Sequence, residues 1–210
     1  MKEKPIFVDI DTQVDFMSPQ GRLYVPGAEQ IVPNLRRLMQ YAEQENLLVL
    51  SSADAHPPDD PSFAQWPPHC VVGSDGQKRI PETRFPSPWV IPNRPESFRE
   101  LPQPLPRQIV VEKVEYDLAS NPNFDALLAA LGEREGEREY VLFGVAAEYC
   151  VLAAGLSLRR RGKTVRLVTD AIRGITEEGS RKAAEEMSAA GIALTTTEEM
   201  VAGKTAPITS

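Results

Sequence analysis

Tyr140-Val141-Leu142-Phe143-Gly144-Val145-Ala146-Ala147-Glu148-Tyr149-Cys150-Val151 is the stretch from which the fold is most directly read. An apolar, β-rich run over residues 140–143 meets a glycine and continues over 148–161 with helical periodicity, giving strand, turn and helix. The same unit recurs in both directions. Upstream, residues 109–112 precede a helix near 124–131, and Ile6–Ile10 precedes a helix over 28–45 that leads into a strand at 47–51. Downstream, residues 165–168 precede a helix over 177–190, and 192–195 form a sixth strand. Short apolar strands alternating with longer amphipathic segments predict an α/β fold, a parallel sheet covered by helices.

The 210 residues suit one domain with a full core. Hydrophobic content of 41% and charged content of 25% are those of a globular protein. A net charge of −7 argues against a nucleic-acid partner. The one basic cluster, Arg159-Arg160-Arg161, ends a predicted helix, where cations suit the last carbonyls. Residues 1–5 are charged and carry no apolar leader, and no run approaches the ~20 apolar residues that span a bilayer. Two cysteines, Cys70 and Cys150, in dissimilar contexts do not make a disulfide framework, so the expectation is a reactive thiol in the cytoplasm.

Residues 56–106 are Pro-rich and lack helical periodicity, yet their tryptophans, histidines and phenylalanines argue for an ordered functional loop. Residues 133–139 read as a solvated charged connection, and the tail after Val201 is expected to fray.

In open α/β sheets, ligands bind beyond the carboxyl ends of the strands, where strand order reverses. Asp11 follows the first strand, Asp54 and His56 the second, Lys113 the third, and Cys150 the fourth. A strand order of 3-2-1-4-5-6 puts Asp11 beside Cys150. A thiol in the first turn of a helix meets the positive dipole end, which lowers its pKa, and free N–H groups suited to an oxyanion. By position alone, a packed structural cysteine is an equal alternative. Asp11 is a costly carboxylate at a buried strand end, whereas Asp15 suits satisfaction by loop N–H groups. Asp9, two residues before Asp11, shares its strand face by alternation, so the two carboxylates are expected to couple. Both histidines of the chain, His56 and His69, fall in one Pro-stiffened loop with Asp54, a set that supplies three ligands and leaves positions open at a metal. Cys70 is a further soft donor or a packed thiol.

Together these segments resemble the isochorismatase-like cysteine hydrolase superfamily and, within it, the nicotinamidases. The resemblance rests on Asp11-Thr12-Gln13-Val14-Asp15-Phe16, Asp54-Ala55-His56, Trp66-Pro67-Pro68-His69-Cys70-Val71, Lys113, and the stretch from Gly144 to Val151. It implies a Rossmann-like three-layer sandwich with a six-stranded parallel sheet, one domain over residues 1–210, and a metal-binding, Pro-rich loop at about 54–106. It implies an Asp11, Lys113 and Cys150 triad, selecting Asp11 over Asp9. It also implies a cis Val145–Ala146 peptide that aims the Ala146 N–H, with that of Cys150, at an oxyanion. The substrate would lie against Phe16, Trp66, Val145 and Ala146. A divalent metal, zinc before iron or manganese, would be held by Asp54, His56 and His69.

The implied reaction is hydrolysis of a small amide through a cysteine thioester, nicotinamide to nicotinate and ammonia. Another small amide is the alternative, followed by vinyl-ether hydrolysis and by a non-catalytic binding protein of the same fold. A homo-oligomer is compatible with an apolar edge; neither nucleic acid nor membrane is an expected partner. Two departures bear on the substrate. Between His56 and His69 only Asp59, Asp60 and Ser62 could add the further ligand many nicotinamidases carry. The segment Val114-Glu115-Tyr116-Asp117-Leu118 lacks the expected small residues.

Overall fold

The computed structural model describes residues 4–203. Most of the tail expected to fray lies outside them. Seven strands form one parallel sheet: β1 (Ile6–Ile10), β2 (Val49–Asp54), β3 (Trp89–Ile91), β4 (Gln108–Lys113), β5 (Glu139–Val145), β6 (Thr164–Arg173) and β7 (Ala193–Thr195). Their order is β3-β4-β2-β1-β5-β6-β7. The predicted order holds from β4 to β7, and β3 adds a seventh strand at one edge. The sheet therefore has seven strands, not six. β3 escapes a sequence reading because it is three residues long, with Pro88 before it and Pro92 after it.

The central strands β4, β2, β1 and β5 are buried along nearly their whole length, as both faces of the sheet are covered. One face packs Ile6, Val8, Ile10, Leu50 and Leu142 against α3 (Phe124–Glu135), α4 (Leu152–Arg160) and α5 (Glu177–Ala189). The other packs Phe7, Val49, Val141 and Phe143 against α2 (Val32–Gln44) and Met200 of α6 (Thr197–Val201). A short α1 (Val14–Met17) follows β1. The expected helix over 28–45 splits into a 3₁₀ turn at Ala28–Ile31 and then α2, which takes Pro33 in its first turn, where a missing N–H costs nothing. Part of the charge run proves helical, since α3 reaches Glu135 before Gly136 caps it at φ 73°. The Arg159–Arg161 cluster closes α4, with Arg161 Nη1 donating to Ser157 O at 3.2 Å. Among the described residues no helix is long and apolar enough to cross a membrane.

The Pro-rich stretch is ordered. It contains 3₁₀ turns at Pro61–Ala64 and Pro81–Thr83, then β3, and it buries Ile80, Phe85 and Ile91. Strands β1 and β5 flank the reversal of strand order, and their close approach depends on Gly144. At φ 122° this residue occupies a region side chains rarely adopt, and a Cβ there would stand 2.1 Å from Ile10 O. That contact brings the end of β1 beside the turn that carries Cys150.

Candidate active site

Asp11 is the first residue past β1 and has φ 47°, a left-handed conformation. The turn breaks strand alternation, so Asp9 and Asp11 do not share the face that alternation predicts. Asp9 stays on the sheet face and pairs with Arg79, while Asp11 turns toward β2 and β4. Ser52 Oγ donates to Asp11 Oδ1 at 2.7 Å and accepts from the Asp11 N–H at 3.2 Å. Lys113 closes β4 and is wholly buried. Its ammonium lies 2.8 Å from Asp11 Oδ2 and 3.6 Å from Cys150 Sγ, and it also contacts Asp54 Oδ1. Asp54 and Lys113 are direct neighbours in the β2–β4 register, which explains their contact.

Cys150 sits in a π-helical turn, Ala147–Val151, ahead of α4, and the Val145–Ala146 peptide before it is cis. The predicted lowering of its pKa is reversed. Burial pushes the thiol well above its ordinary value against the pull of Lys113, and the Asp11 and Asp54 carboxylates raise it further. Burial also raises the Asp11 carboxyl, against the pull of Lys113 and with help from the Asp54 charge. Asp54 itself, though buried, is held far below the carboxylate range by Lys113 and by hydrogen bonds to His56 and His69. Burial lowers Lys113, but Asp11 and Asp54 more than compensate and leave it firmly ionised. The resting cluster is thus a neutral thiol, a buried carboxyl of raised pKa and a fixed ammonium.

On the other side of Asp54, His56 Nε2 and His69 Nε2 stand 3.5 Å and 3.7 Å from Asp54 Oδ2. One ligand atom from each of the three residues lies within 4.8 Å of the others, and all three residues are buried. His69 Nδ1 donates to Pro67 O at 2.8 Å, and His56 Nδ1 pairs with Asp60 Oδ2 at 3.0 Å. Each imidazole therefore has its outer nitrogen engaged and turns Nε2 inward, the arrangement of metal-binding histidines. This donor set fits a divalent cation. Asp60 stands behind His56, not among the three. Cys70 also stands apart: its N–H donates to Asp15 Oδ2 at 2.7 Å, and its Sγ lies 3.9 Å from Gly76 O. Asp15 takes a second N–H from Arg22 at 3.0 Å, the loop satisfaction expected of it.

A cavity of about 470 Å³ joins the two groups, with Cys150 and Ala146 in its lining along with Asp54 and His69. Phe16 and Trp66 line it too. The Val145 side chain is fully buried in the second core and does not. Five apolar or aromatic residues complete the wall: Leu23, Val25, Tyr116, Tyr149 and Ile175. None of these was singled out from the sequence, although Tyr149 lies inside the decisive stretch and Tyr116 in the segment that departed from expectation. Tyr116 and Tyr149 rings stand 5.3 Å apart, and Trp66 Nε1 donates to Tyr116 Oη at 3.2 Å.

The isochorismatase domain family matches residues 5–199. A nicotinamidase of Escherichia coli (strain K12) is 26% identical over 221 residues, covering 89% of this chain and 92% of its own. Among solved structures, a pyrazinamidase of Pyrococcus horikoshii in complex with zinc superposes with a TM-score of 0.75 at 26% identity, over 92% of this chain and 99% of that one. An N-carbamoylsarcosine amidase from Thermoplasma acidophilum gives a TM-score of 0.72 at 25% identity, over 93% and 98%.

Proposed function

This chain belongs to the isochorismatase family and is a hydrolase of amide C–N bonds, and we propose that it cleaves nicotinamide to nicotinate and ammonia through a thioester on Cys150. The observation that carries the reading is the shared cavity. One end presents a thiol in contact with a buried acid–ammonium pair, the other Asp54 and His69 of the metal-ligand set they form with His56, and apolar walls lie between.

Asp11 accepts the thiol proton as sulfur attacks the amide carbon. Its Oδ2 lies 2.8 Å from the Lys113 ammonium and retains a lone pair for that proton. The carbonyl electron pair moves onto oxygen, where the Ala146 and Cys150 N–H groups hold it, each contributing about 3–4 kcal/mol. Collapse breaks the C–N bond while Asp11 returns its proton to nitrogen, and ammonia leaves. Water, deprotonated by Asp11, then adds to the thioester and releases nicotinate and the free thiol. Lys113 keeps Asp11 oriented and offsets the charge that develops on it. Asp54, His56 and His69 would hold a divalent cation (zinc, by the zinc-bound relative), which would supply Lewis acidity for anchoring the substrate. Phe16 and Trp66 wall the ring, and the family match over residues 5–199 supports one catalytic domain.

A different small amide is the second reading. The described residues lining the cavity include no Arg or Lys, which disfavours a substrate bearing a free carboxylate. The test is ammonia release from nicotinamide by zinc-loaded protein, with Cys150→Ala as control and metal content measured on the same sample. Cys150-dependent release supports the proposal. No release from metal-bearing protein overturns the substrate and leaves the amide hydrolase.

A further inference from the structure

Asp9 and Arg79 form an ion pair inside the sheet's covered face, where the mechanism above gives them no part. Asp9 is fully buried and Arg79 is 8% exposed. Buried ion pairs add little to stability when apolar residues could fill the same space, so the pair calls for another explanation. Among the described residues Arg79 Nε and Nη1 have no hydrogen-bond partner, which makes a purely stabilising role less economical still.

Its connections point to the Asp11 turn. Thr12 Oγ1 donates to Asp9, at 2.9 Å from Oδ1 and 3.2 Å from Oδ2. Ser51 Oγ lies 3.3 Å from Asp9 Oδ2, and Arg79 Nη2 donates to Thr83 O at 2.8 Å. The backbone is fastened alongside: Ile80 N–H donates to Thr12 O at 2.9 Å, Val14 N–H to Lys78 O at 2.8 Å, and Gln13 bridges to Arg79. Between Asp9 and the Thr12 clamp, Ile10 packs into the opposite core, and Asp11 is the one polar residue whose side chain escapes this network, at a left-handed φ of 47°.

We propose that the Asp9–Arg79 pair, through Thr12, is a positioning device that holds Asp11 in its left-handed turn and so aims its carboxylate at Lys113 and Cys150. The inference rests on the reading of Asp11 as proton acceptor. Without the clamp, Asp11 relaxes toward extended backbone, and alternation returns its side chain to the Asp9 face.

The test compares Asp9→Asn, Arg79→Lys and Thr12→Val with wild type and Asp11→Asn, all zinc-loaded and assayed below their melting temperatures. Thr12→Val keeps the ion pair and carries the test if the charge variants do not fold. Turnover is measured with nicotinamide, and Cys150 alkylation by iodoacetamide is followed by peptide mass, which separates it from Cys70. The expected result is a tenfold or greater fall in kcat, with KM and bound zinc within twofold. Alkylation of Cys150 should shift in the direction set by Asp11→Asn. Unchanged kcat and alkylation with only a lowered Tm would overturn the proposal and leave the pair a structural element. If Asp11→Asn itself changes neither quantity, the reading of Asp11 fails instead. If wild type does not turn over nicotinamide, the alkylation rates still decide the positioning claim.

Discussion

Gln13 and Asp54 exchange two hydrogen bonds: the Gln13 side chain accepts from the Asp54 N–H at 2.7 Å and donates to the Asp54 carbonyl at 2.8 Å. The loop that carries Asp11 thereby also fixes the backbone of a proposed metal ligand. Gln13 Nε2 further donates to Gln77 O at 2.9 Å. Gln13→Glu should deprive the buried Asp54 carbonyl and the half-buried Gln77 carbonyl of this donor and face them with a carboxylate. The expected cost is about 1–3 kcal/mol per stranded group, together with weakened zinc binding. Urea denaturation and a zinc titration of the apoprotein read the two effects separately.

Lys113 is the sole cation in contact with Asp11 and Asp54 among the contacts described. Lys113→Met should abolish turnover and destabilise the fold by about 3–5 kcal/mol, the usual consequence of stranding one side of a buried ion pair. Asp11→Asn, which keeps shape and removes one charge, should lose turnover at a smaller cost in stability. Equal stabilities for wild type and Lys113→Met would contradict the electrostatic account of the cluster.

For the metal set, His69→Ala should lose bound zinc and raise KM more than it lowers kcat, because the cation is assigned to anchoring substrate. A chelator should do the same to wild type, with recovery on adding zinc. A His69→Ala variant that keeps both metal and full activity would remove the set from the mechanism.

Two pH effects follow from the burial of ionisable groups. Asp11 must be ionised to accept a proton, and burial raises its pKa. The acid limb of kcat/KM should therefore lie above the ~3.9 of a free aspartate, and Asp11→Glu should move it. Separately, burial and the Glu137 charge push the Tyr140 phenol up to about 12. Below about pH 10 both folded and unfolded chains keep the proton and its contribution is intact. As pH rises toward 12 the unfolded chain ionises first, and about 2–3 kcal/mol of stability is lost. Tyr140→Phe should flatten that alkaline decline in a denaturation series.

Much of the architecture is legible in the sequence because strand, turn and helix signals repeat in order, and the rule for open sheets then brings Asp11, Lys113 and Cys150 to one edge. Asp54, His56 and His69 are likewise legible, since two histidines and a carboxylate share one stiffened loop. Four things are not. The strand Trp89–Ile91 is hidden by its flanking prolines and its shortness. The separation of Asp9 from Asp11 depends on one positive φ, which alternation cannot anticipate. The direction of the Cys150 shift reflects burial beside two carboxylates, a sum over three strand ends that no local helix-end argument contains. The wall residues Leu23, Val25 and Ile175 are ordinary apolar side chains, and only the folded chain distinguishes them from core.

The raised pKa of Cys150 has a chemical consequence for the protein between catalytic cycles. Sulfur is oxidised in proportion to its thiolate character and its access to solvent, and the route from sulfenic to sulfinic acid ends in permanent loss. Cys150 is 7% exposed and kept protonated until its base acts. A thiol so enclosed and held toward its protonated form offers peroxide little to attack, so the burial that raises its pKa also shields its sulfur from oxidation.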